Sequence, residues 1–232
     1  MNFELVGIPG MGKSYLCRSV EEKILHEKAL KKSGALPLTT PWLESSNPGR
    51  LLSTLRKLVR ASTIACTHPA TALKLFKVVF GNGQGFQKNR CTKYLNLMAE
   101  MQCLHKAGAT TSLLTEQGVL QGVWSLEMLA ETPVYDQIMR LIIPWLPDAI
   151  VVVEADSSQH KEQLTYRELG QSTFDQMRGE ALSRAINQGE YNLIKILALW
   201  AELRPAGKRL NFNNEPDNDA QILFDWLSEQ LR

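Results

Sequence analysis

The chain has 232 residues, of which 44% are hydrophobic and 22% charged, with a formal net charge of +2; this reads as a soluble globular protein long enough for a sizeable core. No run of eighteen uninterrupted apolar residues occurs, which excludes an ordinary membrane-spanning helix. No basic flank, apolar run and cleavage site open the chain, so Met1 and its neighbours are expected to belong to the fold and secretion is not expected.

Residues 2–6, NFELV, read as a buried first strand carried by Phe3, Leu5 and Val6. The stretch GIPGMGKSY follows at 7–15, and Lys13 to about His26 reads as the helix after it. Gly7, Gly12, Lys13 and Ser14 satisfy the pattern GxxxxGK(S/T). Glycines let the backbone curl so that consecutive N–H groups face a phosphate, and the following helix presents its positive end to the same anion. A lysine in this place reaches β- and γ-phosphates, and the next hydroxyl can coordinate Mg²⁺. Gly7, Ile8, Pro9, Gly10, Met11, Gly12, Lys13, Ser14 and Tyr15 are therefore the candidate cradle for ATP, with Ser14 on the Mg²⁺ side.

Cys17, Cys66, Cys91 and Cys103 show no CxxC spacing and the four histidines are scattered, so free thiols in a reducing cytoplasm and no zinc site are expected. Ala35–Leu38 reads as a short second strand, among Pro37, Pro41, Asn47, Pro48 and Gly49, which mark irregular backbone. Residues 50–61 and 69–80 read as helices. GNGQG at 81–85 breaks the chain, and a further helix is expected from about Gln87 to His105. The span 45–107 is thus a mostly helical lobe, and from Ser45 to Ala99 it contains no Asp or Glu. It carries Arg50, Arg56, Lys57, Arg60, Lys74, Lys77, Lys88, Arg90 and Lys93 instead. Arg56 and Arg60 share one helix face. Such a field suits an anionic acceptor, whether a nucleotide, a sugar phosphate or, on weaker grounds, a nucleic-acid end. A solvated face, or one paired with Glu215, Asp217 and Asp219, is the plain alternative. Phe76, Phe80, Phe86 and Tyr94 read as core rather than as a stacking platform.

Thr110–Thr115 reads as a strand ending at Glu116, with helical text from Val119 and Pro133 in the first turn of a further helix. AIVVVEA at 149–155 is the clearest parallel strand, apolar on both faces until Glu154. His160–Leu169 and Phe174–Leu203 read as helical, Lys208–Phe212 as a last strand and Asp219–Leu231 as a last helix. Strands alternating with helices predict a single α/β domain, a three-layer sandwich around a parallel sheet with a helical insertion between early strands.

A phosphate loop needs a carboxylate at the end of the strand beside the first. Glu116 fits that place, either ordering Mg²⁺ through water or acting on an acceptor hydroxyl; a surface or helix-capping glutamate is the alternative. Glu154 and Asp156 are weaker candidates for the same task. Trp124 and Trp42 suit either an acceptor cleft or the core, while Trp145, Trp200 and Trp226 fall at core spacings. His68 and His105 have no companion at a telling spacing. The absence of an NKxD pattern disfavours GTP.

GIPGMGKS, the helical middle, LLTEQG and PDAIVVVEAD together resemble the P-loop small-molecule kinases of the nucleoside-monophosphate and thymidylate kinase type. The resemblance implies the P-loop NTPase fold, ATP binding and a lid over 157–180, with Arg167 of YRELGQSTFDQMR in the lid helix and Arg178 beyond it. Thr115-Glu116 stands where a thymidylate kinase shows Asp-Arg, so the resemblance does not extend to thymidylate as substrate. The expected function is ATP- and Mg²⁺-dependent phosphoryl transfer to a small anionic acceptor. Lys13, Glu116 and Arg167 are the expected catalytic residues, Ser14 and Glu116 the metal side, and Arg50, Arg56, Arg90 and Trp124 the acceptor side. An ATP hydrolase or switch, or a non-catalytic ATP-binding protein acting through a protein partner, is the alternative. The leucine- and isoleucine-rich segment at 191–200 suits a homodimer interface or burial within one chain equally.

Overall fold

The computed structural model describes residues 1–29, 38–39, 50–81, 88–107, 112–128, 130, 132–154, 177, 179–213 and 220–231. Among these, β1 (Asn2–Val6), β2 (Leu38–Thr39), β3 (Ser112–Thr115), β4 (Ala149–Glu154) and β5 (Lys208–Asn213) form one sheet in the order β2-β3-β1-β4-β5. Every described pairing is parallel. The expected three-layer α/β architecture is therefore the one observed. The short β2 falls at the end of the expected second strand; residues 35–37 lie outside the described residues.

The helices are α1 (Lys13–Ala29), α2 (Arg50–Thr67), α3 (Pro69–Gly81), α4 (Lys88–Ala107), α5 (Val119–Glu127), α6 (Tyr135–Leu141), α7 (Gly179–Leu203) and α8 (Ala220–Gln230). No helix among the described residues is long and apolar enough to cross a membrane. Helix α2 runs past its expected end at residue 61. Ala61 and Ile64 continue its buried face, and the Thr63 and Thr67 hydroxyls bond back to Val59 O and Thr63 O, so the threonines are absorbed into the helix. Pro133 falls short of the first turn it was expected to open, because Val134 caps α6. The long helix α7 is described from Gly179; residues 174–176 and 178 of the expected helix lie outside the described residues.

Strand β1 is central and separates two helical layers. On one side, α1 packs against α8, and the Phe3 ring meets Trp226 edge-on with centroids 6.0 Å apart. On the other side lie α5, α6 and α7, with α4 against α5 and α2 against α4. Phe3, Leu5, Val6, Ile150 and Val151 are fully buried between the layers. Burying each such side chain contributes about 1.5–3 kcal/mol, which is why β1 and β4 read as nearly continuous apolar runs. The chain leaves β1 towards β2 and β3, and leaves β3 towards β4 on the other flank. The crevice beyond the carboxyl ends of β1 and β3 is thus the topological switch point of the sheet, where open α/β sheets bind ligands.

Candidate functional site

The loop after β1 is seated by close backbone contact. A Cβ added at Gly7 would lie 2.7 Å from the carbonyl oxygen of Val153, so only glycine lets the loop lie this close to β4. Gly10 and Gly12 have φ of 93° and 80°, the left-handed region that glycine adopts without strain. Ile8 and Met11 are buried and anchor the loop from beneath. Helix α1 starts at Lys13, whose ammonium donates to Gly7 O at 2.6 Å and Ile8 O at 3.0 Å. The loop, its cation and a helix N-terminus therefore converge on one place.

Glu116 reaches this place from the end of β3. The exposed hydroxyl of Ser14 donates to its carboxylate, so the two residues expected on the metal side are brought together. The donor set, one hydroxyl and one carboxylate beside the glycine loop, is hard oxygen chemistry that suits Mg²⁺. A groove opens next to it between α1 and α8, lined by Tyr15, Ser19, Lys23, Gln221 and Phe224. Tyr15 at its mouth is 68% exposed.

Two acceptor-side expectations are overturned. Arg90 is buried at 7% exposure and each of its three guanidinium nitrogens donates a hydrogen bond, to Val79 O at 2.9 Å, Leu126 O at 3.4 Å and the Glu127 carboxylate at 3.1 Å. It pairs with a buried acid inside the helical layer. Trp124 is likewise core: it is 3% exposed and its indole N–H donates to Gly189 O at 2.7 Å, pinning α5 to α7. Arg56 is exposed on α2, whereas Lys57 and Arg60 lend their charge to Glu100 on α4. Glu154 is exposed at the end of β4. The side chain of Arg50, together with Trp42, Asp156, Arg167, Arg178 and residues 157–176 of the expected lid, lies outside the described residues.

Sequence reasoning passed over Glu4. It sits in the middle of β1 at 1% exposure, and its two carboxylate oxygens accept the N–H groups of Leu120 at 3.0 Å and Gln121 at 2.7 Å. Burial pushes its carboxyl up to about 7 despite those bonds. The available signal was a glutamate inside an otherwise apolar strand, with a glycine two residues after Glu116.

No protein-family model and no curated protein sequence matches the chain. Solved structures do match, among them two kinases that align along its whole length. A thymidylate kinase from Ehrlichia chaffeensis covers 100% of this chain and 97% of its own, at 11% identity and a TM-score of 0.47. A deoxyadenosine kinase from M. mycoides, solved with bound dATP, covers 100% and 99%, at 11% identity and a TM-score of 0.50. At this identity the second likeness shows the fold alone, a three-layer α/β sandwich around the parallel sheet described above.

Proposed function

We propose that the chain is a nucleotide-dependent phosphotransferase that binds ATP with Mg²⁺ and passes a phosphoryl group to a small anionic molecule. The observation that carries this reading is the meeting of Lys13, Ser14 and Glu116 at the switch point of the sheet. Lys13 supplies fixed positive charge where negative charge accumulates, and the loop N–H groups orient the phosphates. Ser14 and Glu116 are the residues that would hold Mg²⁺, which when bound would supply further positive charge to the site. The nucleoside end has room in the groove that opens at Tyr15, whose exposed ring offers a face for stacking. On the acceptor side, Arg56 is an exposed cation of the acid-free segment suited to an anionic acceptor, and Arg167 is the lid residue that the family resemblance implies.

The test is ATP binding followed by turnover. A fluorescent ATP analogue should bind the wild-type chain and lose affinity at least 10-fold in Lys13→Ala, in keeping with the loss of a charge-assisted contact. ADP release should then rise when small phosphorylated or carboxylated acceptors are added. Binding with acceptor-independent ADP release would instead identify a hydrolase or switch. No binding at all would overturn the proposal.

A further inference from the structure

One buried acid near the cradle touches neither the glycine loop nor Ser14. We propose that Glu4 is a positioning residue: by gripping the start of α5 it sets Glu116 opposite Ser14. This rests on the reading of Ser14 and Glu116 as the Mg²⁺ side of the site.

The argument is one of attachment points. Glu116 lies in a short arch between β3 and α5. At its near end, Thr115 is paired with Glu4 in the sheet, and its hydroxyl donates to Phe3 O at 3.2 Å. At its far end, the Leu120 and Gln121 N–H groups donate to the Glu4 carboxylate. Both ends of the arch are therefore tied to one strand, and that strand runs into the glycine loop that leads to Ser14 in the first turn of α1. Helix α5 has no cap from its own N-cap residue, Gly118. Glu4 takes that place from β1, with a carboxylate against the positive end of the helix. The fit leaves no slack: a Cβ on Gly118 would lie 2.5 Å from both the Glu4 carboxyl carbon and the Thr115 hydroxyl. Gly118 has φ of −85°, which any residue adopts, so alanine there would act by displacing these partners.

The experiment titrates Mg²⁺ into the full chain with a fluorescent ATP analogue. Glu4→Gln replaces one acceptor oxygen by a donor, and Gly118→Ala wedges the arch away from β1. Both are expected to bind the analogue in EDTA as the wild type does, yet to need about 10-fold more Mg²⁺ for the metal-dependent increase, the scale on which partners that orient metal ligands act. Ser14→Ala and Glu116→Gln serve as controls. If these controls shift the Mg²⁺ midpoint while folded Glu4→Gln and Gly118→Ala do not, the positioning role is wrong and the metal-side reading stands. If the controls leave it unmoved, the metal-side reading fails and takes the positioning role with it. Amide hydrogen exchange on the wild-type chain needs no variant: Leu120 and Gln121 should exchange only through global unfolding, and rapid exchange there would overturn the clamp.

Discussion

Arg90 and Glu127 show how a residue's charge says little about its task until its neighbours are known. Glu127 is completely buried, which raises its carboxyl above the usual range, while Val134 N–H and Arg90 pull it back. Removing one partner leaves the other charge uncompensated. Arg90→Ala should therefore cost roughly 3–5 kcal/mol in urea unfolding while leaving acceptor KM unchanged in the folded fraction. A raised KM with unaltered stability would return Arg90 to the acceptor side. Glu4 shifts in the same direction as Glu127 and gives a pH signature. Its folded value of about 7 lies above the ordinary 4.5, so between those values the folded chain holds a proton that the unfolded chain has released. Stability contributed by this group is full below about 4.5, falls as pH rises towards 7, and is lost above it. The shift corresponds to about 3 kcal/mol. Glu100, also raised to about 7 by burial with Arg60 and Lys57 opposing, adds in the same direction. Unfolding measured from pH 5 to 8 should show the decline, with a shallower slope in Glu4→Gln. Equal slopes would rule out Glu4 as a source.

At the scale of elements, the glycine loop is held by β4 as much as by β1. Gly7→Ala would drive a Cβ to 2.7 Å from Val153 O, a backbone atom that cannot rotate away. The loop or the strand must shift, and nucleotide affinity should fall several-fold with a stability loss of about 1–3 kcal/mol. An isothermal titration that found wild-type affinity would mean the loop has room that this geometry denies. Helix α5 is similarly over-determined, by Glu4 at its start and by Trp124 and Asn192 at its junction with α7. The strands were legible because a central parallel strand is an uninterrupted apolar run bounded by turn residues. Helix ends were less so: Thr63 and Thr67 look like an exit from α2, but their hydroxyls are satisfied by its own carbonyls.

For the whole molecule, the sheet order places the ends of β1, β3 and β4 side by side, and the candidate site spans elements distant in sequence. A ligand held there by the native state alone stabilises all of them together. At a free ligand concentration one hundred times Kd, the gain is about 2.7 kcal/mol, or roughly 5–10 °C in Tm for a chain of this size. Differential scanning fluorimetry with Mg²⁺ and ATP should show that rise in the wild type and not in Lys13→Ala. A flat Tm at saturating ATP would argue that the nucleotide does not bind the fold.

The sequence by itself determined the cradle and the layered α/β plan. Both are local codes: a glycine pattern that dictates backbone curl over eight residues, and apolar periodicities that dictate strand or helix. The position of Glu116 beside the glycine loop was legible as well, because the strand that ends at Thr115 was expected next to the first and few segments offer an acid there. Only the tertiary structure decided which charges face inward. Arg90 and Trp124 had the right chemistry for an acceptor cleft, but their partners, Glu127 and Gly189, lie 37 and 65 residues further along the chain. Glu4 was hidden for the same reason: the amides that justify a glutamate in the central strand come from a helix 116 and 117 residues away. Burial and pairing are set by contacts between distant elements, and no window of sequence contains both sides of such a contact.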